Sequence, residues 1–167
     1  DINRAMSDFA RTHVPDLVEN HYPGRLVYAG GDDVFALAPL ARDLSVQDSE
    51  VHQIRTVLDL VDRLQQQYCK VVRLEVIDDD VQSTEPNKKT RKELVTASTG
   101  IAIAHHYTSL SYVRRVSKEA EQLAKKHYGR NALVVTVLRR SGEQTRVGCH
   151  WQYPDLEKNA QPIPLFL

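Results

Sequence analysis

The chain has 167 residues, 22 basic and 22 acidic side chains, and a formal net charge of zero. That length fits one domain, or one domain with an insertion, and the charge balance excludes a global field for nucleic acid while leaving local patches open. Two distant cysteines, Cys69 and Cys149, exclude a disulfide scaffold or a zinc cluster and fit a reduced, intracellular protein, and no signal peptide or membrane-length apolar run is present.

The chain begins at Asp1 without a methionine and enters a helical pattern almost at once, which reads as a piece of a larger protein. Residues 2–20 carry Ile2, Met6, Phe9, Ala10, Val14, Leu17 and Val18 at helical spacing, which predicts a first helix. Pro15 lies inside it and predicts a kink or a break. Pro23 and Gly24 end the segment.

Residues 26–38 read LVYAGGDDVFALA, two apolar runs folded back on each other. Gly30 and Gly31 permit the positive φ that a tight hairpin needs. Turn composition accounts for the glycines but not for adjacent carboxylates, Asp32 and Asp33, at the tip of what reads as a buried hairpin. Adjacent acids repel, and burying them is costly without a cation or other donors. Hard Mg²⁺ or Mn²⁺ takes carboxylate oxygens together with substrate phosphates, and glycines let a triphosphate approach bare backbone N–H groups. The ordinary alternative is a solvent-exposed Gly-Asp turn.

Pro39 closes the hairpin, and residues 40–50 read as a loop or short helix. Residues 51–67 place Val51, Ile54, Val57, Leu58, Val61 and Leu64 on one face of a second helix. Residues 70–77, KVVRLEVI, are rich in Val and Ile and read as a strand. Residues 78–93 are almost wholly polar and read as a mobile loop or inserted flap. Asp78, Asp79 and Asp80 could ligate a metal, but a solvated acidic run is the ordinary reading. Residues 95–104, VTASTGIAIA, read as a buried central strand, followed by His105 and His106. A histidine pair points only weakly to a metal site or proton shuttle. Residues 110–127 form a third helix with Val113, Val116, Ala120, Leu123 and Ala124 inward, stopped by Gly129. ALVVTVL at 132–138 is a strand, and 145–151 an edge strand.

With the insertion removed and one strand added before residue 1, the order becomes βαββαβ with an extra helix. The fold class is therefore α+β, an antiparallel-rich sheet backed by helices.

The blocks GRLVYAGGDDVFAL, TASTGIAIAHH and AEQLAKKHYGRNALVVTVLRRSGE occur in this order and at this spacing. Together they resemble the palm domain of the large catalytic subunit of type III CRISPR effector complexes, in its Cmr-type form, a relative of the GGDEF nucleotidyl cyclases. The resemblance covers residues 1–151, apart from a variable insertion at about 45–93, and leaves 152–167 as an extended tail. It implies a ferredoxin-like palm of the nucleotidyl cyclase and polymerase type, here lacking its first strand. The implied activity is conversion of ATP to cyclic oligoadenylates, antiviral second messengers, when the complex binds target RNA. The implied cofactor is Mg²⁺ or Mn²⁺. The implied partners are ATP, the other subunits of the ribonucleoprotein, CRISPR RNA and target RNA, with no membrane and a cytoplasmic location.

By the same resemblance, Asp32 and Asp33 fall on the metal-binding and catalytic acids, and Gly30 and Gly31 on the phosphate-adjacent turn. Lys125 (with Lys126 as its alternative), Arg130 and Asn131 fall in the helix-end segment that holds the triphosphate. Asn3 falls near the position where relatives place a serine against the base, and its amide can donate and accept. A strand bearing a further acidic motif precedes the first helix in the family, so the site reads as incomplete from Asp1 onward, and the isolated chain as a weak enzyme. A competing reading is a non-catalytic palm that scaffolds subunit and RNA contacts; the intact GGDD favours catalysis. A diguanylate cyclase or templated polymerase is the third reading, and GGDD in place of GGDEF argues against the former.

Overall fold

The computed structural model describes residues 2–31, 33–41, 55–81 and 96–152, with the backbone alone for 73–81. The chain divides into two compact units, Asp1–Val95 and Thr96–Leu167.

The first unit opens with α1 (Ile2–Asp8) and continues through two π-helical segments, Phe9–His13 and Asp16–Asn20. The wider turns appear as i→i−5 bonds, Val14 N–H to Phe9 O and His21 N–H to Asp16 O. Pro15 lacks an N–H and crowds the preceding turn, and π turns on both sides let the helical course run through it without breaking. Phe9, Val14, Val18 and Tyr22 from this segment form the buried core of the unit together with Leu60. Phe9 meets Tyr68 edge-on at 5.2 Å, and the Tyr22 hydroxyl donates to Pro39 O at 2.8 Å.

Strands β1 (Arg25–Gly30) and β2 (Asp33–Leu37) pair antiparallel. Their register slips between Leu26 and Tyr28, a bulge at Val27. The hairpin is not buried as the sequence suggested: Val27, Tyr28, Val34 and Leu37 are exposed, while Leu26, Ala29 and Ala36 pack on the core.

Helix α2 spans Val57–Val81. It begins at a reciprocal cap: Thr56 N–H donates to Asp59 Oδ2 at 2.9 Å, and Asp59 N–H to Thr56 Oγ1 at 3.2 Å. The strand expected at 70–77 is part of this helix, and so are residues 78–81 of the expected loop. Leu60, Leu64, Tyr68, Val71 and Val72 continue one apolar stripe, and no Gly or Pro interrupts 57–81. A β-branched residue lowers helix propensity by only about 0.5 kcal/mol, whereas each added residue extends a helix already nucleated. The Val and Ile content of KVVRLEVI therefore does not outweigh its continuity with the cap. Residues 42–50 and 82–93 of the expected loops, and the tail from 153, lie outside the described residues.

In the second unit, β3 (Thr99–Ile103) pairs parallel with β4 (Ala132–Leu138), and β4 pairs antiparallel with β5 (Gln144–His150). The strand order among the described residues is β3-β4-β5, with β4 between the other two. Parallel strands need a crossover, and α3 (Leu110–Lys126) supplies it. Val116, Ala120 and Ala124 on α3 are buried with Ala132, Leu133 and Val134 on β4. Small side chains at this contact, with Gly100 on β3, let the helix backbone lie close to the sheet. Trp151 ties the end of the sheet down, its Nε1–H donating to Ala97 O at 3.1 Å and its backbone N–H to Asn131 O at 3.0 Å. The architecture is α+β, as expected, with β1–β2 and β3–β4–β5 as separate ladders among the described residues.

Candidate functional site

The GGDD turn is built by pairing of Gly30 with Asp33, which leaves two residues, 31 and 32, to reverse the chain. Gly31 has φ +59°, and a Cβ there would meet nothing within 4 Å. The glycine is thus required by conformation, as two-residue hairpins with primed turns demand, and not by crowding. Gly30 lies under the Tyr28 ring, whose hydroxyl is 2.6 Å from where a Gly30 Cβ would stand. Asp33 begins β2 and is exposed, and its carboxylate makes no hydrogen bond or ion pair among the described residues. Asp32 lies outside them.

The donor chemistry fits a hard divalent cation only in part. An exposed carboxylate without a side-chain partner among the described residues is an open oxygen ligand. Two carboxylates fall short of six oxygen ligands, so substrate phosphates and water would have to complete the shell. Among the described residues no group of three or more His, Cys, Asp or Glu could hold a metal ion.

The second group of expected residues sits where α3 ends. His127 and Tyr128 N–H groups both donate to Leu123 O, and Arg130 N–H donates to Ala124 O at 3.1 Å. The chain then turns through three left-handed residues in a row, Gly129 (φ 68°), Arg130 (φ 72°) and Asn131 (φ 49°). Glycine adopts this region at no steric cost and asparagine tolerates it, but Arg130 is strained there by about 1–2 kcal/mol. Such strain concentrates where function requires it. Arg130 is exposed, while Asn131 is half-buried and its carbonyl is occupied by Trp151 N–H.

Lys125 is not an isolated cation. Its Nζ lies 2.5 Å from Glu121 Oε1, and Lys118 Nζ holds the other oxygen, Oε2, at 2.6 Å. Burial pushes the Glu121 carboxyl up, but hydrogen bonds and charge from Lys118 and Lys125 outweigh it and leave the carboxyl below its ordinary range. Glu121 was not among the residues read from the sequence as functional. Its signal was present in the Glu-x-x-x-Lys spacing, which puts both side chains on one helix face. Lys126 is exposed beside this pair.

The expected residues therefore divide between the units. Asn3, exposed in the first turn of α1, and the GGDD turn belong to the first; Lys125, Arg130 and Asn131 belong to the second. Residues 1–134 match the family described as Cas10/Cmr2, second palm domain. The chain belongs to that family. It is thus a palm domain of the type III CRISPR large subunit, and its α+β architecture is that of the ferredoxin-like palm. No curated protein matches the chain. No helix among the described residues of this Cas10/Cmr2 palm is long and apolar enough to cross a membrane.

Proposed function

We propose that this palm carries part of the nucleotidyl-transfer centre of a type III CRISPR effector subunit and joins ATP into cyclic oligoadenylates. The GGDD hairpin carries this reading: a two-residue turn with left-handed Gly31 presents an exposed Asp33 with no side-chain partner among the described residues, in a chain of the Cas10/Cmr2 second palm family. In each transfer a 3′-hydroxyl attacks an α-phosphate, a new phosphodiester forms, the bond to pyrophosphate breaks, and the hydroxyl proton is lost to solvent or base. Divalent metal held by Asp32 and Asp33 would supply charge stabilisation to the attacking and leaving oxygens. The backbone at Gly31, where an added Cβ would meet nothing within 4 Å, leaves room for phosphate, and Asn3 offers an amide for the adenine edge.

In the second unit, Lys125 and Arg130 are the cations that the family resemblance offers to a triphosphate. Lys125 reaches phosphate only by exchanging its bond to Glu121 for one to the substrate. The exchange keeps the ammonium ion-paired in both states, so binding costs less desolvation than extracting it from water.

The test is the assembled effector complex with ATP, Mg²⁺ and target RNA. Asp32→Ala with Asp33→Ala abolishes oligoadenylate formation and leaves assembly intact. An unchanged product yield from that double variant refutes the role. Lys125→Ala raises the ATP concentration needed for half-maximal rate, and equal curves for variant and wild type remove Lys125 from the site.

A further inference from the structure

Three rings stand together where β3 leaves the sheet. His105 and His106 have centroids 4.2 Å apart, His106 and Tyr107 are 4.1 Å apart, and the planes tilt by 32° and 47°. Tyr107 is 83% exposed, which makes it the most exposed large apolar side chain among the described residues. Beyond the two histidines, no ring among the described residues stacks on it.

From the β4–β5 turn, Arg140 Nη2 reaches His105 Nε2 at 3.0 Å. The other ring nitrogen of His105, Nδ1, faces the Tyr107 N–H at 3.3 Å. Both neighbours are donors, so a protonated His105 would set donor against donor at each nitrogen. Partial burial, Arg140 and His106 all press its pKa below the ordinary histidine value. A neutral imidazole accepts at one ring nitrogen only, so the tautomer protonated at Nδ1 accepts from Arg140 at Nε2 and holds the guanidinium beside the aromatic group. Arg139 is paired with Glu143 at 3.1 Å, but Arg140 has no carboxylate partner among the described residues.

We propose that His105, His106 and Tyr107, with Arg140, form a platform that stacks the bases of single-stranded RNA. Three factors select this occupant. The Tyr107 ring, 83% exposed, presents a π-face that accepts unstacked bases of any sequence. The Arg140 guanidinium, without a carboxylate partner among the described residues, calls for an anion, and a phosphate backbone places one beside each stacked base. The Tyr107 hydroxyl and the His106 ring nitrogens offer donors and acceptors to a 2′-hydroxyl, which DNA lacks.

The platform lies at the opposite end of its sheet from the strained Arg130–Asn131 turn. That turn precedes the first residue of β4 and Arg140 follows the last, so seven strand residues, about 23 Å, separate them. A strand could be held here while the α3 end engages a triphosphate. The platform does not depend on the nucleotidyl-transfer reading, because it uses none of the same residues.

The test is fluorescence anisotropy of short labelled oligouridylate and oligoadenylate titrated with the 167-residue chain at low salt. Tyr107→Ala is expected to weaken binding of both RNAs by roughly tenfold, and Tyr107→Phe to stay within about twofold of wild type. Arg140→Ala is expected to weaken binding and flatten the salt dependence by about one unit of log–log slope. Circular dichroism confirms folding of each variant; Tyr107 is too exposed for its removal to unfold the chain. Failure of the wild-type chain to bind either RNA overturns the proposal, as does unchanged affinity on Tyr107→Ala. Equal affinity for duplex RNA overturns the stacking assignment, and equal affinity for single-stranded DNA of the same length overturns the choice of RNA.

Discussion

Gly100→Ala is the sharpest test of how the second unit is packed. A Cβ at Gly100 would stand 2.9 Å from Ala120 C and closer still to Glu121 N and Ser117 O, all backbone atoms of α3. No side chain can rotate away, so the helix must retreat from the sheet by roughly 1 Å, and a gap of that size forfeits a quarter to a half of each dispersion contact it opens. The contacts at stake include those of Val116, Ala120 and Ala124, three of the most buried side chains in the chain. Overpacking of this kind costs typically about 1–3 kcal/mol, and backbone clash on one side places Gly100→Ala near the upper end, about 3 kcal/mol. The lower unfolded-state entropy of alanine offsets about 0.4–1 kcal/mol of that. The net loss of about 2 kcal/mol lowers the thermal midpoint by roughly 4–8 °C for a chain of this size. Urea denaturation followed by circular dichroism gives the free energy, and calorimetry the midpoint. A control at Gly31, where alanine meets no atom but must adopt φ +59°, is expected to lose only about 1 kcal/mol. A Gly100→Ala protein as stable as wild type would refute the close approach of α3 to β3.

Two further outcomes follow from the α3 end. Glu121→Gln is expected to lower stability by about 1 kcal/mol at neutral pH, since it removes the charge that Lys118 and Lys125 share. The folded carboxyl lies below its unfolded value, so its contribution is complete above about pH 4.3 and fades as pH falls through the folded value; the gap between variant and wild type should close over that acidic range, and a gap that persists there contradicts the pairing. Arg130→Gly is expected to raise stability by about 0.5–1 kcal/mol by relieving the left-handed backbone, and a loss of stability in urea titration would show that no strain is stored there.

Elements with strong local signals were legible in the sequence. The helix at 110–127 and the strand at 132–138 match α3 and β4 to within a residue, because an amphipathic stripe ended by Gly129 and a run of β-branched residues each leave one local solution. The GGDD hairpin was legible for the same reason: paired glycines between strand-forming runs dictate the turn. Where local signals conflicted, tertiary context decided. KVVRLEVI has strand composition, yet the Thr56–Asp59 cap and the stripe from Leu60 to Val72 carry it into a helix. Composition could not show that the hairpin stands exposed, since its alternating pattern fits either side of a sheet.

The candidate site divides in the same way. Paired acids and glycines are visible as residue types at a turn, so Asp32 and Asp33 stood out in the sequence as candidate ligands, whereas Lys125 and Arg130 were named as candidates only through the family resemblance. The closure of Glu121 between Lys118 and Lys125 follows from helical spacing on α3, and the left-handed run from Gly129 to Asn131 lies in consecutive residues. The placement of Arg140 against His105, 35 residues apart in the chain, is encoded by no local period. It arises only when β3 and β4 pair in parallel, which brings the end of β3 beside the turn that follows β4.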